Sequence, residues 1–211
     1  MTPVRVRLWV DPGCPWAWQG AVWLRRLADA GVVELDWRIF SLELNSSELD
    51  TPFWEACQRH GESLVALALA RREGGDDAFD RLYEELGRRL HEEKQETSPE
   101  MVRAAAAAAG MPDLVDRAVA MSELTDEVRQ EFLDARQESV FGVPTLGIAE
   151  LKVVYGPVFA FAPTGDEAER LWEHTLWLAE RSDFFEMKRW PRDIRPGETA
   201  PRTVASTVTD P

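Results

Sequence analysis

The stretch Asp11-Pro12-Gly13-Cys14-Pro15-Trp16-Ala17-Trp18 lies between two segments of different periodicity. From Val4 to Val10 alternate residues are apolar, which predicts a β-strand. From Pro15 to about Ala30 apolar residues recur every three or four positions, which predicts a helix. Val33 to Ile39 alternates again. Strand, helix and strand in this order form the unit of a parallel sheet.

Cys14 is the residue in this stretch with the most evident chemistry. A thiol at the first turn of a helix meets unpaired backbone N–H groups and the positive end of the helix dipole, which favour the thiolate. We therefore interpret Cys14 as a nucleophile, the alternative being a small buried apolar residue. A dithiol redox motif needs a second cysteine three positions on, where Ala17 stands. Any redox cycle at this site must use one sulfur.

Between Asn45 and about Ser139 the sequence shows helix signals and no strand pattern. Thr51-Pro52 and Ser98-Pro99 each place an N-cap residue before a proline. Gly74-Gly75 and Gly110 stand where helices are expected to end. We predict an all-helical insertion over residues 45–124, followed by a helix over about 126–139.

Two short strands, Val143–Ile148 and Lys152–Tyr155, and a last helix starting near Thr164 complete the predicted order. The chain is therefore expected to be α/β, with a thioredoxin-like fold and a large all-helical insertion after the second strand. The thioredoxin-like domain would be discontinuous, over residues 1–44 and 125–190. Residues 191–211 are rich in Pro, Thr and Arg and predict a loosely held tail.

Val143-Pro144 directly precedes the third predicted strand. In a thioredoxin-like order this loop should meet the Cys14 turn, and its X–Pro peptide is expected to be cis. The Val143 backbone N–H and C=O would then form an edge that pairs with a bound thiol or peptide beside Cys14.

The composition of the chain limits the kinds of partner and cofactor that it can bind. The 211 residues carry a formal charge of −14, which disfavours nucleic acid and anionic membranes. The two cysteines, Cys14 and Cys57, are too few for a disulfide framework or a thiolate metal site, so no metal is expected. Cys57 lies on a predicted amphipathic helix and is expected to pack there. Because no export signal is present, we expect the protein in the cytoplasm. We expect it to be a monomer or a homodimer.

Several motifs together resemble the actinobacterial DsbA-like family that includes mycothiol-dependent nitroreductases. They are residues 11–18, 41–45, 87–91, 141–145 and the segment 155–172. The resemblance covers roughly residues 4 to 190 and implies a cytosolic thioredoxin fold whose cysteine reacts with a low-molecular-weight thiol, mycothiol. It also implies that Trp16, Asn45 and His91 line a cleft for the cofactor or substrate, with a deazaflavin coenzyme as a candidate electron donor.

Ala17 departs from the dithiol members of that family, which carry cysteine there, and three hypotheses follow. In the first, the chain is a monothiol oxidoreductase in which Cys14 and Pro15 form the reactive turn and Val143-Pro144 aligns the thiol. In the second, Cys14 only holds a thiol cofactor, as a serine does in kappa-class glutathione transferases and 2-hydroxychromene-2-carboxylate isomerases. In the third, the cleft binds ligands without turnover.

Overall fold

The computed structural model describes residues 2–46, 60–189, 194 and 196. In this part of the chain four strands form one sheet: β1 (Val4–Val10), β2 (Val33–Ile39), β3 (Thr145–Ile148) and β4 (Val154–Tyr155). Their order across the sheet is β2-β1-β3-β4. β1 pairs with β2 in parallel, and β3 pairs antiparallel with both β1 and β4. The strand, helix and strand unit predicted at the start of the chain is confirmed.

The helices of the described residues stand between and after these strands. They are α1 (Pro15–Asp29), α2 (Leu42–Ser46), α3 (Gly61–Gly87), α4 (Pro99–Ala108), α5 (Leu114–Ala120), α6 (Ser122–Gln137) and α7 (Asp166–Ala179). A π-helical turn, Arg88–Glu92, continues α3. Between β2 and β3 the described residues form helices joined by short connections, with no strand among them. The predicted fold class is confirmed, and the division of the chain into domains stays a prediction.

Helix boundaries follow local chemistry. Ser98 caps α4, its hydroxyl accepting the N–H of Met101 at 3.1 Å, and Gly110 follows the helix with a φ of 84°. The prediction that a helix ends at Gly74-Gly75 is confirmed: Gly75, with φ 66° and ψ −162°, is not helical, and α3 consists of two helical segments that meet at a kink there. The Thr51-Pro52 prediction and Cys57 lie outside the described residues, as does most of the tail.

Helix α1 is buried between the sheet and other helices because one side carries large apolar residues. The Trp23 indole is 1% exposed and donates from Nε1 to the Ala168 carbonyl on α7 at 3.0 Å. Trp172, also on α7, lies 6.3 Å from it between ring centroids. This packing fixes the direction in which the N-terminus of α1 points, and Cys14 stands at that terminus.

Helix α3 packs on β2 and on α1. The ring of Phe79 stacks on Trp37 of β2 at 5.6 Å, and Tyr83 lies 6.0 Å from Trp18 of α1. One turn further on, a Cβ added to Gly87 would lie 2.1 Å from the Trp18 ring. Only a residue without a side chain lets α3 approach α1 this closely.

Replacing Gly87 with alanine is therefore expected to overpack this contact. The free energy of unfolding should fall by about 1–3 kcal/mol, the usual cost of an extra methyl group in a packed core. Urea denaturation measures it. Gly61→Ala is the matched control, because its added Cβ would lie 3.6 Å from the nearest side-chain atom, an ordinary contact. Equal stability of the Gly87→Ala variant and the unchanged chain would contradict the packing argument.

Candidate active site

Cys14 ends the turn between β1 and α1 and is the N-cap residue of α1, with an extended backbone. Its Sγ accepts the N–H of Ala17 at 3.4 Å, and its backbone N–H donates to the Asp11 carbonyl at 3.0 Å. The residue is 7% exposed. A sulfur in the N-cap position receives the same helix N–H groups that bind anions, so this geometry favours the thiolate.

The loop before β3 lies across from the thiol. The Cys14 S–H donates to the Val143 carbonyl, with Sγ and oxygen 3.7 Å apart, and the Val143–Pro144 peptide is cis. Thr145 holds the loop by donating its hydroxyl to the Gly142 carbonyl at 2.7 Å. A Cβ on Gly20 of α1 would lie 3.3 Å from the Pro144 ring. The loop therefore packs directly on the helix that starts at Cys14.

The π-helical turn after α3 brings His91 to the other side of the Cys14 turn. The Nε2 of His91 lies 2.7 Å from the Pro12 carbonyl oxygen. Because a carbonyl oxygen can only accept, this nitrogen carries the proton and donates it. The pKa of His91 is lowered from 6.5 to about 4, chiefly by burial. The Pro12 hydrogen bond opposes this shift, and the nearby charges of His60 and Lys94 contribute to it. His91 is therefore neutral at pH 7.

Asn45 and Trp16, the two other residues implied by the family resemblance, are both half-buried. Asn45 stands at the end of α2 and donates from Nδ2 to the Phe141 carbonyl at 3.4 Å. Its Oδ1 accepts from Arg136 at 3.5 Å. Asn45 thus contacts the segment that carries Val143, while Trp16 lies in the first turn of α1, two residues from Cys14.

Asp11 is a site residue that the sequence analysis did not single out. Its carboxylate is 2% exposed and accepts two backbone N–H groups, from Gly13 at 2.8 Å and from Leu42 at 2.9 Å. The signal was present: aspartate two residues before glycine commonly accepts the backbone N–H of an Asx turn. The contact with Leu42 joins distant segments and has no signature in the sequence.

Two buried polar atoms near the Cys14 turn lack a hydrogen-bond partner in the described part of the chain. They are the Tyr83 hydroxyl and the Trp18 indole Nε1. Burial raises the pKa of Tyr83 well above its usual value, the Arg25 charge opposes this, and the charges of Cys14 and Asp11 add to it. Tyr83 therefore stays protonated and shares an electrostatic environment with the thiol.

An open groove of about 460 Å³ begins beside the Val143 loop. Its lining includes Phe141, which is 59% exposed, and Tyr155, whose ring lies 5.0 Å from it. A Cβ on Gly142 would lie 3.3 Å from the Tyr155 ring. Two solvent-facing aromatic rings, those of Phe141 and Tyr155, thus lie beside the loop that faces Cys14.

Over residues 2–46 and 60–189 no three His, Cys, Asp or Glu side chains are grouped as a metal ion would require. In the same ranges, no helix has both the length and the apolar composition needed to cross a bilayer.

The sheet order, the thiol at a helix N-terminus and the facing X–Pro loop define a thioredoxin-like thiol oxidoreductase. Within that class, residues 13–189 match the family model described as "Rv2466c-like: Mycothiol-dependent nitroreductase Rv2466c". The chain belongs to this family, which confirms the resemblance seen in the sequence and the prediction of a thiol-dependent oxidoreductase.

The chain is also similar to individual proteins. The chain is 29% identical over 182 residues, 85% of its length, to the uncharacterized protein Rv2286c of Mycobacterium tuberculosis, of which 79% is covered. Its fold is similar to a probable DsbA oxidoreductase, SCO1869, of Streptomyces coelicolor, with TM-score 0.57, 20% identity, and 87% and 94% of the two chains covered. A 2-hydroxychromene-2-carboxylate isomerase gives TM-score 0.58 at 14% identity, covering 82% and 93%. These two structures show the fold alone.

The neutral, half-buried imidazole of His91 gives a test based on pH. The pKa is 6.5 in the unfolded chain and about 4 in the folded chain, so between these values the unfolded chain binds the proton more tightly. The free energy of unfolding should therefore fall as pH drops from about 6.5 to 4, by about 2 kcal/mol after allowance for solvent screening. In His91→Gln, which keeps an N–H donor, this loss should be missing.

Chemical denaturation at several pH values between 4 and 7.5 measures the effect. His174→Gln is the matched control, because His174 is exposed on α7. If the His91→Gln variant loses stability over this range as steeply as the unchanged chain, the imidazole is not held in its neutral form by the fold.

Proposed function

We propose that this chain is a monothiol oxidoreductase that exchanges disulfides with mycothiol through Cys14. The observation that carries the proposal is the position of the Cys14 sulfur. It accepts the Ala17 N–H at the start of α1 and lies 3.7 Å from the Val143 carbonyl of the opposite loop. A thiolate stabilised by a helix N-terminus is both a nucleophile and a good leaving group, and a monothiol cycle needs both properties.

The cycle has two steps that balance. In the first, the Cys14 thiolate attacks the mycothiol sulfur of a mixed disulfide between mycothiol and a substrate thiol. A bond forms between the Cys14 and mycothiol sulfurs, the mixed disulfide bond breaks, and the substrate sulfur leaves with the electron pair and takes up a proton. In the second, a free mycothiol thiolate attacks the mycothiol sulfur of the adduct, so that mycothiol disulfide forms and the Cys14 thiolate leaves. In sum, one mixed disulfide and one mycothiol give the free substrate thiol and mycothiol disulfide.

The surrounding residues have distinct roles in this proposal. Pro15 begins α1 without an N–H to compete for the sulfur, and Trp16 forms a wall of the cleft. Val143 and Pro144 align the bound mycothiol beside Cys14. His91 stabilises the Cys14 turn by its hydrogen bond to Pro12. Asn45 stabilises the loop before β3 by its hydrogen bond to Phe141. The thiol is the electron donor, so a deazaflavin has no part in the cycle. The reducing cytoplasm is the compartment that suits it.

A second function stays open because Ala17 removes the internal resolving thiol. If Cys14 holds a thiol cofactor without covalent chemistry, the chain would be a thiol-dependent isomerase or transferase. A hydroxyl in place of the thiol could still donate to the Val143 carbonyl. Substitution by serine therefore separates the two reaction classes.

We expect mass spectrometry to show one mycothiol adduct on Cys14 after incubation with mycothiol disulfide at neutral pH, reversed by excess mycothiol. Cys57→Ser, which removes the other cysteine of the chain, should retain the adduct, and Cys14→Ser should lose it. Cys14→Ser should also abolish reduction of a mycothiol mixed disulfide. Retained turnover in Cys14→Ser would favour the isomerase or transferase, and an unmodified Cys14 would refute disulfide exchange.

Replacing Ala17 with cysteine should convert the site to a dithiol. The Ala17 N–H lies 3.4 Å from the Cys14 Sγ, and the two residues have the spacing of redox dithiols. Oxidation of the Ala17→Cys variant should form an intramolecular disulfide, detected as the loss of two hydrogen atoms in mass and as the absence of the mycothiol adduct. The matched control is Ala21→Cys, one turn further along α1 and equally buried, which should keep the adduct. Adduct formation in both variants would contradict the geometry.

A further inference from the structure

We propose that Asp11 is a positioning residue for Cys14, whose ionised carboxylate ties the Pro12-Gly13 turn to the start of α2. One oxygen accepts the Gly13 N–H at 2.8 Å and the other accepts the Leu42 N–H at 2.9 Å. The Asp11 backbone carbonyl also accepts the Cys14 N–H at 3.0 Å. The inference rests on the proposed function only in taking Cys14 as the reacting thiol.

The two hydrogen bonds need a carboxylate in which both oxygens accept. Protonation converts one oxygen into a donor that faces a backbone N–H, and an Asn side chain would likewise place an NH₂ against one of them. Either change leaves a buried N–H without its acceptor and weakens the link between the Cys14 turn and α2. Because α2 also carries Asn45, the same link sets the distance from the thiol to the Phe141 contact.

The surroundings of Asp11 raise the pKa of its carboxyl group into a pH range in which the folded protein can be studied. Burial raises its pKa from 3.8 to about 6, the Gly13 and Leu42 N–H groups oppose this, and the charge of Glu43 on α2 adds to it. Other titratable groups lie close by: Cys14 ends the same turn, and Tyr83 of α3 interacts with both Asp11 and Cys14. Two histidines also contact the turn, His91 at Pro12 and the His60 ring at Gly13. The link should therefore weaken as pH falls through about 6.

The test is the rate of Cys14 alkylation by iodoacetamide from pH 5 to 9 in a Cys57→Ser background, with thiolate formation followed separately by ultraviolet absorbance. This readout needs no mycothiol, so a chain that fails to form the mycothiol adduct can still confirm or refute the role of Asp11. We expect the rate per thiolate to drop as pH falls through 6. In Asp11→Asn it should be lowered about three- to tenfold at pH 8, with no inflection near pH 6.

Asp116→Asn is the matched control, because that carboxylate pairs with Arg103 on the exposed surface and its removal changes the net charge equally. Glu43→Gln should keep the inflection and move it to lower pH. The proposal would be overturned if the alkylation rate per thiolate in Asp11→Asn stayed within twofold of the parent at every pH. It would also be overturned if only the titration midpoint of the Cys14 thiol changed, because that change would come from the lost charge alone.

If Asp11→Asn does not fold, the chain with Asp11 intact decides the question by NMR titration of the Asp11 carboxyl carbon. A midpoint above 5 that moves when Cys14 is alkylated supports the link. A midpoint near the ordinary value of an aspartate, or one unaffected by alkylation, overturns it.

Discussion

The structure around the thiol depends on one buried carboxylate that must satisfy its hydrogen bonds. Asp11 lies where water does not reach it, and a charge in such a place is tolerated when backbone N–H groups solvate it. The donors it uses are Gly13, in the turn after β1, and Leu42, the first residue of α2 after β2. The parallel pairing of these strands brings their C-terminal ends to the same edge of the sheet. The carboxylate therefore joins the turn that carries Cys14 to the helix that carries Asn45.

The helices between β2 and β3 contact the Cys14 turn as well as the sheet. The end of α3 touches α1 at Gly87 and Trp18, and this contact places the following π-helical turn beside the Cys14 turn. His91 then donates to the Pro12 carbonyl, on a turn already held by Asp11. Cys14 is thus fixed from the sheet, from its own helix and from the inserted helices. A change in α3 packing would reach the thiol through these contacts.

The sequence predicted what depends on local periodicity and capping. The first two strands, the helix after Cys14 and the cap at Ser98 follow from patterns within a few residues of one another. Three features could not be predicted this way. The link from Asp11 to Leu42 and the contact of His91 with Pro12 join residues 31 and 79 positions apart. The direction that α3 takes after its kink at Gly75 depends on the packing of Phe79 and Tyr83 against Trp37, and no local pattern predicts these contacts.

The neutral state of His91 limits how the thiolate can be stabilised. An imidazolium beside a cysteine would lower the thiol pKa by a full positive charge, but burial lowers the His91 pKa to about 4 and removes that charge at neutral pH. The N-terminus of α1 and the Ala17 N–H stabilise the sulfur as dipoles, which carry no net charge. Because dipoles do not titrate, this support does not change with pH. A sulfur stabilised in this way leaves readily from a mixed disulfide, as the proposed monothiol cycle requires.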